Sequence, residues 1–148
     1  MRKIKPGAVV AITSAGVVVA AGVADPTARA RDFQTFQVPS GNIYCGIGMS
    51  DTTAFAACEI RDHDWAAPPR PSSCTLDWGD RVALDQGSGP QWSCHGDTIQ
   101  DPAAPVLGYG QARVVQAITC HSEVSGLTCT DSSTGHFFRL ARDGYDLH

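Results

Sequence analysis

Residues 42–47 alternate, with Ile43, Cys45 and Ile47 on one face of an extended chain. Residues 54–61 repeat the alternation with Ala56, Cys58 and Ile60. Two such strands joined through the polar, glycine-bearing stretch 46–53 predict a hairpin with one buried side. Residues 32–38 mix polar and apolar positions and end at the turn Pro39-Ser-Gly41, which predicts a further strand. Shorter apolar runs follow at 74–78, 81–85 and 91–95, the last with Trp92 and Cys94 on one side. Residues 113–120 are strand-like, 126–130 pair with them, and 136–141 close the set. The stretch 111–117 also tolerates a short helix. Pro68, Pro69 and Pro71 make 62–73 a long connection anchored by Trp65, and prolines and glycines do the same for 97–110. No segment sustains a capped 3.6-residue apolar period. The pattern predicts an all-β domain of about eight short antiparallel strands, as a small disulfide-stapled sandwich or open barrel. Ser40-Gly41 before Cys45 and Ser125-Gly126 before Cys129 echo each other, but the spacing differs by one residue and marks two similar turns, not a repeat.

One apolar run fits neither period. Arg2, Lys3 and Lys5 precede an uncharged stretch, 7–23, that ends in small residues. Basic, apolar and small segments in this order predict a secretory signal peptide at 1–24. A second cleavage point follows Ala28-Arg29-Ala30. The run sits at the lower edge for a membrane span, so the reading is cleavage and no span afterwards. Residues 25–31 then form a flexible lead and 32–148 a single β domain. Such a protein is secreted to the cell envelope or the exterior.

Export changes how the six cysteines read. Cys45, Cys58, Cys74, Cys94, Cys120 and Cys129 all lie beyond the leader, and none forms a Cys-x-x-Cys pair. Disulfides are therefore expected in place of a metal site. Fifteen connectivities are open. Each consecutive pair flanks turn-like residues, so 45–58, 74–94 and 120–129 is the expected set. The charge also shifts. Downstream of residue 24 the chain has eight arginines, no lysine and fifteen acids, a net −7. That balance disfavours nucleic acid and acidic lipid as partners.

Pro39-Ser-Gly-Asn-Ile-Tyr-Cys45, Cys58-Glu-Ile60, Cys74-Thr-Leu-Asp-Trp-Gly79, Cys94-His-Gly-Asp97 and Gly135-His-Phe-Phe138 together carry a family resemblance. Over residues 36–147 the chain resembles a family of small secreted, cysteine-rich actinobacterial proteins of unknown function. The resemblance implies a bacterial envelope or extracellular setting and supplies no catalytic residue.

Candidate chemistry is sparse. Phosphate-loop, zinc-protease and dinucleotide patterns are missing, and no cofactor is expected. Asp77, Trp78 and Asp80 form a candidate ledge, where an indole stacks on a sugar ring and acids bind its hydroxyls. His95 and Asp97 form an alternative catalytic pair for a small hydrolase. His63 lies between Asp62 and Asp64, but neighbours on an extended chain point apart, which argues against a metal site. The leading expectation is a non-enzymatic binding domain whose partner is an envelope glycan or another exported protein. The rivals are the hydrolase and a protease-inhibitor-like module that presents the proline-rich loop 66–71.

Overall fold

The computed structural model describes residues 33–148. The expected leader, the lead at 25–31 and Asp32 lie outside the described residues. Ten strands build two five-stranded antiparallel sheets, and the described residues contain no helix. The first sheet is a meander of β1 (Gln34–Gln37), β2 (Ile43–Ser50), β3 (Thr53–Ile60), β4 (Arg81–Asp85) and β5 (Gln91–Trp92). The second is a meander of β6 (Ala112–Val115), β7 (Ile118–Glu123), β8 (Gly126–Asp131), β9 (Phe137–Ala141) and β10 (Gly144–Leu147). Neither sheet closes on itself. They pack face to face, with β2 against β6, β3 against β7 and β4 against β8.

The alternation explains the core. Ile43, Cys45 and Ile47 of β2 face inward with Ala56, Cys58 and Ile60 of β3, all at most 4% exposed. Ile118, Leu127, Phe138 and Leu140 meet them from the second sheet, each fully buried. The outer face of β2 is covered too. At Gly46 a Cβ would lie 2.3 Å from the Phe33 ring, so the missing side chain lets Phe33 lie across the strand and stack on Phe55.

The cysteines pair as 45–58, 74–94 and 120–129. Two of these are cross-strand bridges, one between β2 and β3 and one between β7 and β8, with directly opposed partners. They meet in the core, where Cys58 Sγ lies 3.8 Å from Cys129 Sγ. Neither sulfur carries a proton, so this is a dispersion contact between the sheets. The third bridge ties residues 61–80 to residues 93–111, the two long connections. Three disulfides belong to an oxidising compartment, in keeping with an extracellular protein.

Several expected strands take other forms. Residues 74–78 form no strand; only Asp77 pairs, in a single bridge with His95. Prolines upstream and Gly79 at φ +97 turn the chain there. Of 91–95 only Gln91 and Trp92 join the sheet. The run 113–120 is two strands, because Gln116 at φ +49 makes a hairpin inside it, and no helix forms at 111–117. β10 follows the Arg142-Asp143 turn and returns along β9.

The long connections are pinned by side chains. Gln37 Nε2 donates to the carbonyls of Pro102 and Ala104 at 2.9 and 2.8 Å. Trp65 Nε1 donates to Ala141 O at 2.8 Å. The Trp65 ring packs on both Trp92 of the first sheet and Tyr145 of the second, with centroids 5.7 and 4.7 Å away, and Trp92 and Tyr145 meet edge to face at 4.9 Å. Aromatic area thus closes the seam between the two final strands.

Candidate functional site

The densest polar cluster surrounds Arg81 at the start of β4. The Glu59 carboxylate on β3 is buried beside it and accepts from Arg81 Nε and Nη2 at 3.1 and 2.7 Å. It also accepts from Thr98 Oγ1, Gln100 Nε2 and the Ile99 amide, at 2.7, 2.9 and 3.1 Å. Burial alone would raise the Glu59 pKa; the bonds from Thr98, Arg81 and Ile99 outweigh it and hold the group below its ordinary value. Arg81 Nη1 reaches Asp97 Oδ1 at 3.0 Å, and this bond together with the arginine charge lowers the Asp97 pKa.

His95 is buried against this cluster. Its Nδ1 lies 2.6 Å from Asp97 O and its Nε2 2.8 Å from Asp80 Oδ1. A carbonyl and a carboxylate both accept, so the two bonds form together only when both ring nitrogens carry protons, as an imidazolium paired with Asp80. Burial pulls the His95 pKa down; the bonds to Asp80 and to the Asp97 carbonyl outweigh it and raise it. In this state the ring has no lone pair for general-base chemistry. The carboxylate facing His95 belongs to Asp80, while the Asp97 carboxylate belongs to Arg81.

The ledge residues sit on the same turn. Asp77 is exposed and exchanges main-chain bonds with His95. Trp78 is half-buried and its indole N–H donates to Pro68 O at 2.9 Å. That bond anchors the loop 66–71, whose other residues are exposed. Asp80 is committed to His95, which leaves the Asp77 carboxylate as the outward-facing acid of the three.

Asp62, His63 and Asp64 do not converge. His63 stacks on Trp65 with centroids 3.7 Å apart and its Nδ1 contacts Trp65 O, while Asp62 faces Arg61 and Arg142. Among the described residues, Cys58, Cys120 and Cys129 have sulfurs within 4.8 Å of one another, but all three are disulfide-bonded and offer no thiolate.

A cleft of about 400 Å³ opens where turns of both sheets meet. One wall is the β1–β2 turn with Val38, Ser40 and Asn42, together with Arg61 and Asp64. Asn42 is buried and exchanges two 2.9 Å bonds with the Asp62 main chain, which fixes this wall. The other wall is the β7–β8 hairpin, Glu123 to Gly126, with Arg139, Arg142 and Asp143 beside it. Arg139 Nη2 donates to Ser125 O and holds the hairpin tip. Gly126 has φ +139, and a Cβ there would sit 2.6 Å from Leu140 O, so the wall requires glycine. Tyr109 enters from the second long connection, 46% exposed, and Val124 joins the lining at 84%. The cleft draws residues from five separate segments, so no linear motif marks it. Its traces in the sequence are single turn residues such as Gly126 and Asn42.

No curated protein and no solved structure matches the chain at a significant level. A family model matches residues 16–147, a span that begins inside the apolar stretch expected as the leader. The chain belongs to the family of unknown function designated DUF6636.

Proposed function

We propose that this protein is a secreted, non-enzymatic binding domain of the bacterial envelope or exterior that holds its ligand in the cleft between the turns. The observation that carries this reading is a division of the polar groups. Around Glu59, Arg81 and His95 they are bonded to one another, whereas Tyr109, Asp64 and Arg142 line an open cleft, with Arg142 held only by a 3.9 Å contact to Asp62. A concave site with a few outward polar groups and an aromatic ring is the usual form of a ligand pocket. Disulfides and the basic–apolar–small leader support export. The test is thermal shift of the oxidised protein with envelope glycans and exported proteins, run beside chromogenic ester, glycoside and peptide substrates. Stabilisation without turnover supports binding; turnover lost in His95→Gln replaces it with the hydrolase. The ledge serves as the internal comparison. If Trp78→Ala abolishes binding and cleft variants do not, the site lies at Asp77, Trp78 and Asp80.

A further inference from the structure

The cleft differs from the rest of the molecule in charge. Downstream of residue 24 the chain holds eight arginines and fifteen acids, yet the cleft is lined by Arg61, Arg139 and Arg142 against Asp64, Glu123 and Asp143. It is a balanced patch on a strongly acidic protein. Anionic ligands meet a repulsive surrounding field, and cationic ones find stronger attraction elsewhere on the surface. Arg142 contacts Asp62 only at 3.9 Å, and among the described residues Asp64 has no side-chain bond. Arg139 is engaged with Asp143 at 3.6 Å and Arg61 with Asp62 at 3.2 Å, so Arg142 and Asp64 are left as a donor and an acceptor lining the same opening. Groups that both donate and accept at one atom satisfy such a rim, and hydroxyls do this. Carboxylate and guanidinium partners make those bonds charge-assisted. Tyr109 adds an exposed ring face, and Val38, Ile43 and Val124 add apolar wall. A ring that is polar at its edge and C–H on its faces matches both.

From this cleft we infer the ligand class: an uncharged saccharide, one or two pyranose rings long, with one sugar face on Tyr109 and its hydroxyls shared between Arg142 and Asp64. The inference rests on the binding reading above and names its ligand. The volume of about 400 Å³ lies at the small end of ligand pockets, which limits the contact to a chain end or a short internal segment.

The test is amide NMR of the oxidised protein titrated separately with a panel of neutral disaccharides including chitobiose and lactose, with digalacturonate and with tetra-alanine. A neutral disaccharide is expected to move the Tyr109, Val124 and Gly126 resonances. Tyr109→Ala is expected to weaken that binding about tenfold with the fold intact, as for one lost aromatic contact. Asp64→Asn is expected to weaken it by a smaller factor, since one charge-assisted bond becomes neutral. Cleft shifts produced only by digalacturonate or only by the peptide overturn the saccharide assignment and leave the binding reading standing. Cleft resonances unmoved by every probe overturn both.

Discussion

In the first sheet β3 and β4 are neighbours in space but are separated by residues 61–80 in the chain; in the second sheet the longest such separation is residues 132–136. Otherwise the plans match. Each sheet is a five-stranded meander, and each has a disulfide between its second and third strands. The second sheet is held by continuous ladders and two-residue turns such as 116–117 and 124–125. The first must order two long stretches that have few ladder bonds, and there side chains replace the ladder. Glu59 alone binds Thr98, Ile99 and Gln100, and Gln37 holds the backbone at Pro102 and Ala104. The ionic chemistry lies where the meander is interrupted, because that is where backbone groups lack strand partners.

The sharpest break in that comparison is Glu59→Ala. It leaves the buried Arg81 without its main partner, and the expected cost is about 3–5 kcal/mol in urea denaturation. Hydrogen exchange should accelerate at 94–100 before it does in β7 and β8; uniform acceleration would erase the distinction between the sheets. Next come the cross-strand bridges. Replacing both cysteines by alanine at 45–58 or at 120–129 should each cost about 3 kcal/mol, since loops of 13 and 9 residues give similar chain-entropy terms. Unequal losses would show that the two frames are not equivalent.

A smaller effect is expected at the tie between the sheets. Asp131 at the end of β8 accepts from the Gly87 amide of the β4–β5 turn at 2.6 Å and from Ser133 and Thr134. Asp131→Asn should cost about 1–3 kcal/mol. Burial would raise its pKa, but the bonds from Gly87, Ser133 and Thr134 lower it from 3.8 to about 2. Its contribution is thus complete above 3.8 and is lost as pH falls toward 2, so the variant should show a flatter acid limb in pH-dependent denaturation. His95 carries the opposite sign. Its pKa is raised above 6.5, so its contribution is complete below 6.5 and disappears as pH rises through the raised value. Asp80→Asn should flatten the denaturation midpoint on that alkaline side. Least of all, Tyr109→Ala should change stability by no more than about 0.5 kcal/mol, as an exposed side chain away from these ties.

How much of this was legible follows from where period-two patterning operates. At Ile43, Cys45 and Ile47 and at Ala56, Cys58 and Ile60 the alternation reports burial on one side of a hairpin, so strands, register face and disulfide partners all follow from it. The two antiparallel sheets and the absence of helices among the described residues agree with the all-β expectation. The pattern is silent where one residue decides. Gln116 adopts a left-handed conformation that non-glycine residues seldom take, so the β6–β7 hairpin left no glycine signal. β10 carries Gly144 and Asp146, and its place comes from pairing with β9. In the candidate region, adjacency in sequence suggested Asp97 as the acid for His95. The crossing of two loops, stapled by Cys74–Cys94, brings Asp80 to the ring instead. The cleft was invisible for the same reason, since its walls come from turns far apart in the chain.

The contact between the two core disulfides bears on the order in which the bonds form once the chain meets an oxidant. Cys58 and Cys129 end up 3.8 Å apart although 71 residues separate them, so a wrong bond between them is within reach once the sheets dock. The correct partners are 13 and 9 residues apart, and closing those shorter loops first is favoured by about 1.5 kcal/mol in loop entropy. A chain that meets an oxidant can therefore close each hairpin before the sheets dock, and by the time the second sheet meets the first no free thiol remains at the interface to exchange.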